Sequence, residues 1–250
     1  MRITQCKVGS QVLHFDWKRT FEVTDYENKK KPCVFFGCYN KNDLRAILRH
    51  EGPGVIYWAG RDILRWQTAD LIGLNRFIHI TTMKQIVDEV MKRGHECQLV
   101  PLHAFRGMKP NPLVKTNKIY AYYQRNGLYS IMGHNKVDKR IQECYNVVVP
   151  VVRYDWEKWY DGICDSFYNA FVGLMLDDFA RGGTTIKDMG LRGIKCITNV
   201  IDLPNCIHWK TPSDIYTAIE REKMKVGTSD PCLANKVFEC LDWKFDWLWI

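Results

Sequence analysis

The chain has 250 residues, of which 46% are hydrophobic and 13% aromatic, and it carries a formal net charge of +8. That apolar content excludes an intrinsically disordered chain and is enough for one large domain or two small ones. The positive balance favours an anionic partner without naming it, and because no apolar run approaches the ~18 to 20 residues that span a bilayer and the opening MRITQCKVGSQVLHFD has no signal-peptide core, a cytoplasmic protein is expected.

From Pro32 onward, short apolar runs alternate with helix-like stretches, the pattern of a parallel sheet with crossover helices. CVFFGCY (33–39) reads as a buried strand, Asn42 or Asp43 as the cap of the helix NDLRAILRHEG, and Gly52 with Pro53 as its stop. GVIYWAG (54–60) is the next strand, followed by a helix from near Asp62. RFIHITT (76–82), the helix MKQIVDEVMKRG ending at Gly94 and the strand CQLVPLHAF then complete a first α/β lobe over 1–105. Two prolines, four basic side chains and no acid across 106–118 make 106–117 a linker.

A second alternation fills 118–228. Its strands are KIYAYYQ, NVVVPVV, AFVGLML and IKCITNV, and its helices lie around 136–144, around 155–167 and over TTIKDMGLRG. Thr211, Pro212 and Asp214 open a further helix, DIYTAIEREKMKVG, with proline at the first helical position, where its missing N–H costs nothing. The tail 229–250 holds three of the nine tryptophans and is expected to form a helix packing across the lobes. The fold class expected is therefore α/β, with two Rossmann-like lobes. The ten cysteines are scattered and include no CxxC pair, which argues for reduced core thiols over structural zinc or disulfides.

The most informative segment is AFVGLMLDDFARGGTTIKDMGLRGIKCITN, residues 170–199. A buried strand enters a polar loop with Arg181, Gly182 and Gly183, and Thr184 or Thr185 then caps a helix. Such a loop turns unpaired N–H groups and the positive end of a helix toward a crevice, which suits a diphosphate. Asp188 lies one turn further on, where a carboxylate can accept hydrogen bonds from a ribose diol. An ordinary strand, loop and helix of an α/β protein fits the same spacing.

This order of strand, Gly-rich loop, acid-bearing helix and next strand resembles the donor-binding segment of GT-B glycosyltransferases. Asp188 stands where that family carries a glutamate for the donor ribose. GVIYWAGRDILRW is similar to the first-lobe strand and loop of these enzymes and of the phage DNA β-glucosyltransferases, which by position puts a catalytic aspartate on Asp62. The resemblance covers roughly 33–215 in element order. It implies two lobes facing each other across a cleft, and a sugar passing from a nucleotide-sugar donor to a hydroxyl acceptor. It also implies basic residues around the departing diphosphate, for which Arg125, Lys136 and Arg181 stand in position.

The residues themselves agree in part. Asp62 follows an apolar strand, where a carboxylate can act as general base, although it also reads as the N-cap of DILRW. Cations are needed wherever a leaving diphosphate gains charge, and solvated surface cations are the plain alternative. Asp177 and Asp178 imitate a metal-binding pair but adjacent side chains diverge, so neither a metal nor another cofactor is expected. His79 and His103 lie on apolar strands as core histidines. Lys29 to Lys31 and the aromatics Trp17, Trp58 and Trp66 leave a modified base in DNA open as acceptor beside a glycan or small molecule. A nucleotide- or DNA-binding α/β protein without catalysis is the reading from another class.

Overall fold

The structure, a computed structural model, describes residues 2–9, 20–104, 108–121, 135–148, 170–176 and 183–249. It divides into two compact units, Met1–Met108 with Leu241–Ile250, and Lys109–Cys240. Each holds one sheet, and every strand pairing in both sheets is parallel. The chain is thus α/β, with two parallel sheets. No described helix is long and apolar enough to cross a membrane.

In unit 1 the strands are β1 (Gln5–Val8), β2 (Thr24–Asp25), β3 (Cys33–Phe36), β4 (Gly54–Tyr57), β5 (Ile78–Thr81) and β6 (Gln98–Leu99). They lie in the order β2-β1-β3-β4-β5-β6. All residues of β3 and β4 are buried, as expected for strands covered on both faces, and this is why their sequences read as unbroken apolar runs. Helices α1 (Lys41–Leu48), α2 (Thr68–Leu71) and α3 (Lys84–Met91) belong to the crossovers. Helix α1 is capped by Asn40 in place of the expected Asn42 or Asp43. Asn40 is still extended (φ −151°, ψ 174°), so its side chain can turn back to accept the amides of Asn42 and Asp43.

The sequence reading missed β1 and β2, because QCKV mixes polar and apolar residues and a two-residue edge strand has no periodicity to show. It also expected a helical tail. Helix α7 (Pro231–Glu239) stops at Cys240 instead, and Asp242 accepts the amides of Lys244 and Phe245 in a tight turn that holds Phe245 left-handed at φ 52°. The rest of the tail belongs to unit 1. Leu248 joins the cluster of Phe21, Val34, Phe36, Val55, Tyr57 and Ile80, and its carbonyl accepts the Ile3 amide.

Unit 2 contains β7 (Lys118–Ala121), β8 (Asn146–Val148), β9 (Val172–Met175), β10 (Lys195–Thr198) and β11 (Cys206–Ile207), in the order β11-β10-β9-β7-β8. Its helices are α4 (Asn135–Cys144), α5 (Gly183–Leu191), α6 (Pro212–Lys223) and α7. Thr211 caps α6 through the Asp214 amide and Pro212 opens it, as the sequence required. The helix expected around 155–167 lies outside the described residues. Residues 109–117, read as a linker, run along this unit, with the amides of Asn111, Leu113 and Lys115 donating to the carbonyls of Leu191, Arg192 and Thr228.

Both sheets repeat one topology. The second strand lies outside the first, and the third and later strands lie on its other side, so strand order reverses between β1 and β3 in unit 1 and between β7 and β9 in unit 2. In open parallel sheets ligands bind outside the carboxyl ends of the strands at such a switch point.

Two glycines let α5 pack closely, Gly173 against its sheet and Gly190 against Asn205 and α7. A Cβ on Gly173 would run into the Met189 side chain, and one on Gly190 would lie 2.8 Å from both Asn205 and Val237. Asn205 is fully buried and fixed by donating to the Ile186 and Ile194 carbonyls at 2.9 and 3.3 Å, so it cannot step aside. Gly190→Ala is therefore expected to destabilise the protein by ~1 to 3 kcal/mol through overpacking, measurable as a lower midpoint in urea unfolding. An unchanged midpoint would mean that α5 packs less tightly than described.

Candidate functional site

In unit 2, β9 leads from the switch point toward α5, whose first residue is the buried Gly183. Arg125, Arg181 and Gly182 lie outside the described residues, as do Asp177 and Asp178. Lys136 falls in the first turn of α4, and its side chain is likewise outside them. Thr184 and the buried Thr185 are already inside the helix, so neither is its cap. Asp188, the sixth residue of α5, is half-buried. Burial raises its carboxyl pKa, with Lys187 and Arg192 pulling the other way. Arg192 also donates from Nη1 to the Asp188 carbonyl at 2.9 Å.

The sequence reading passed over Lys187, which is fully buried one residue before Asp188. Helical side chains lean toward the N-terminus, and Lys187 follows Gly183 by four residues, so its stem rises along the face that leads to the start of α5. Burial lowers the amine to about 8, with the charge of Asp188 opposing. No signal marked it, because a lysine in a helix ordinarily reads as a solvated position; here α5 is buried around almost its whole girth.

In unit 1 the carboxyl ends of β3 and β4 are joined through Asp62. Its side chain is fully buried. Oδ2 accepts the Cys38 amide at 3.0 Å and the Ala59 amide at 3.4 Å, and Oδ1 accepts the Gly60 amide at 2.9 Å. Burial pushes the carboxyl up to about 6 although these amides favour its ionised form. Asp62 makes no side-chain bond to the 3-10 turn Ile63–Arg65 that follows, so the capping reading does not hold: the carboxylate turns back onto two loops. Trp66 adds a second strap, donating from Nε1 to the Cys38 carbonyl at 2.7 Å.

The aromatics considered as stacking surfaces are structural where described. Trp58 is buried and donates from Nε1 to Nδ1 of His79 at 3.0 Å, which leaves His79 Nε2 to donate to the Leu74 carbonyl at 3.1 Å. His79 is thus a neutral core histidine, lowered to about 4 by burial. His103 is also buried, with Nδ1 3.5 Å from the Tyr57 hydroxyl. Trp17 lies outside the described residues. Lys29 to Lys31 precede β3 and so lie toward the amino end of the sheet, where Lys29 pairs with Glu51. Among the described residues no group of histidine, cysteine, aspartate and glutamate is arranged to hold a metal ion.

No protein-family model and no curated protein matches the chain. Among solved structures, the Glycosylation Associate Protein (Gap123) complex from Streptococcus agalactiae is similar at a TM-score of 0.39 and 12% identity, over 88% of this chain and 53% of that one. The chain thus spans about half the length of that structure. A likeness this slight assigns neither family nor activity.

Two outcomes test these environments without any ligand. Asp62→Ala leaves the Cys38 and Gly60 amides without their acceptor and is expected to cost ~2 to 4 kcal/mol in urea unfolding. A carboxylate that served only as a base would leave the midpoint where it was. Lys187→Met removes a group whose folded pKa, about 8, lies below its unfolded value, so wild-type stability is expected to rise with pH above 8 and that of the variant to lack this rise, which urea midpoints measured between pH 7 and 10 would check.

Proposed function

We propose that the chain is a sugar-nucleotide-dependent glycosyltransferase with GT-B-like organisation, unit 2 holding the donor and unit 1 the acceptor. One observation carries this reading: strand order in unit 2 reverses between β7 and β9, and the same β9 feeds α5, a nine-residue helix that opens on a glycine and bears Asp188. The N-terminal amides and dipole of α5 suit a diphosphate, and a carboxylate further along suits a ribose.

In this reading Gly182, Gly183, Thr184 and Thr185 line the diphosphate, Arg125, Lys136, Arg181 and Lys187 neutralise it, and Asp188 accepts the ribose hydroxyls. The acceptor oxygen bonds to the anomeric carbon as the bond from that carbon to the diphosphate oxygen breaks. The electron pair leaves with the nucleoside diphosphate, whose growing charge the cations stabilise. The acceptor's proton passes to a base, the role proposed for Asp62. That role requires the loops around Cys38 and Gly60 to open, since the side chain is fully buried and its oxygens accept their amides.

The same occupancy favours a second reading, a nucleotide-binding protein without transfer chemistry. Slow release of nucleoside diphosphate from a panel of uridine and guanosine diphosphate sugars separates the two: a transferase hydrolyses a donor without acceptor, and the binding protein does not. In calorimetric titration with the corresponding diphosphates, Asp188→Ala is expected to weaken binding by ~10-fold or more, each hydrogen bond to a charged group being worth ~1.5 to 3 kcal/mol. Unchanged affinity would take Asp188 out of the donor site.

A further inference from the structure

Helix α6 ends in a run of cations, Arg221, Lys223 and, just past its cap at Met224, Lys225. The turn that follows is tightly wound: the amides of Lys225, Val226 and Thr228 donate to the carbonyls of Glu222, Lys223 and Lys225 at 3.0, 3.1 and 3.1 Å. Residues 109–117 run against it, the Lys115 amide donating to the Thr228 carbonyl at 2.9 Å and the Lys115 carbonyl accepting the Gly227 amide at 2.8 Å. Val114 therefore lies beside the turn that carries Met224 and Val226. All three apolar side chains face water, Met224 at 81% exposure, Val114 at 60% and Val226 at 39%. The cations complement the carboxyl-terminal dipole of α6, but that dipole gives no reason for a group of aliphatic side chains in water. The nearby acids do little to offset the positive charge. Glu222 is fully buried and both its oxygens accept Lys225 Nζ, at 2.8 and 2.9 Å; Asp230 Oδ1 accepts the Leu233 amide at 2.9 Å as the cap of α7; and Glu220 accepts the Tyr145 hydroxyl. Arg221 and Lys223 are exposed, Lys223 reaching over the Tyr145 ring at 5.4 Å, while Lys115 is buried beneath the turn within range of the charges of Lys225 and Lys195.

We propose that this surface of unit 2, Met224, Val226 and Val114 with Arg221, Lys223 and Lys225, docks on an anionic lipid bilayer, the aliphatic side chains entering the headgroup boundary and the cations meeting the lipid charges. The proposal goes beyond the transferase reading and does not depend on it. A nucleic-acid backbone would use the cations and leave the aliphatic side chains in water, whereas an anionic bilayer takes both. Lys195 begins β10 and Lys115 shortly precedes β7, so the surface lies toward the amino ends of the strands of this sheet. Docking there leaves the carboxyl ends, where α5 begins after β9, open to a soluble ligand.

Co-sedimentation of the full chain with unilamellar vesicles tests this, using phosphatidylcholine alone and an equal mixture of phosphatidylcholine and phosphatidylserine. The chain is expected to pellet with the mixed vesicles, to stay in solution with the neutral ones, and to be released by added salt. Lys223→Ser removes one charge from the surface, and Met224→Ser removes its most exposed apolar side chain without changing the charge. Each is expected to lower affinity for the mixed vesicles by ~5-fold or more. Both positions are exposed, so both variants are expected to keep the wild-type urea midpoint. A chain that stays in solution with the mixed vesicles overturns the proposal. So does a Met224→Ser protein that binds them like the wild type, since the attraction would then be electrostatic only. Duplex DNA binding, followed by fluorescence anisotropy, that Lys223→Ser weakens and Met224→Ser leaves unchanged would make this a nucleic-acid surface and equally overturns it.

Discussion

Parallel pairing is the constraint from which the rest of this structure follows. Strands such as β3, β4 and β9 are four residues long and wholly buried, so each must be covered on both faces and each connection must cross over before the next strand begins. Crossovers of this kind send every loop that follows a strand to one edge. Candidate chemistry therefore collects at the carboxyl ends, with Asp62 after β4 and α5 after β9.

The two units differ in the buried charges that accompany their sheets. In unit 1 the amides left over by β3 and β4 are satisfied by side chains, above all by Asp62, whose carboxylate ties two loops that the sequence places 24 residues apart. This is costly in solvation, since the group is buried and its pKa is pushed up, and it is sustained because each oxygen accepts at least one amide. In unit 2, Lys187 is a buried cation on α5, a helix whose packing needs glycine at Gly173 of β9 and at its own Gly190.

Much of the architecture was legible in the sequence because burial writes itself as apolar runs. CVFF, GVIY, IHIT, VGLM and KCIT are strands where apolar periodicity put them, and Thr211 with Pro212 and Asp214 starts a helix as local hydrogen bonding dictates. Less was legible where an element depends on distant partners. β2 and β11 are two residues each and exist through pairing with β1 and β10, and the tail 241–249 is kept from continuing α7 by the turn at Asp242 and by the place its side chains find in the core of unit 1.

The sequence by itself determined the class of fold, the alternation of two α/β halves and the positions at which polar loops follow buried strands, because periodicity and capping are local properties of a chain. Only the tertiary structure decided what those loop residues do. Asp62 looked like a cap or a base and is a buried acceptor for Cys38, Ala59 and Gly60; Trp58 and Trp66 looked like stacking surfaces and are buried donors to His79 and Cys38. Lys187 carried no mark in the sequence and is enclosed. The reason is common to all four: whether a polar group is in water, and which partner replaces that water, depends on residues brought close by packing, and sequence spacing carries no record of them.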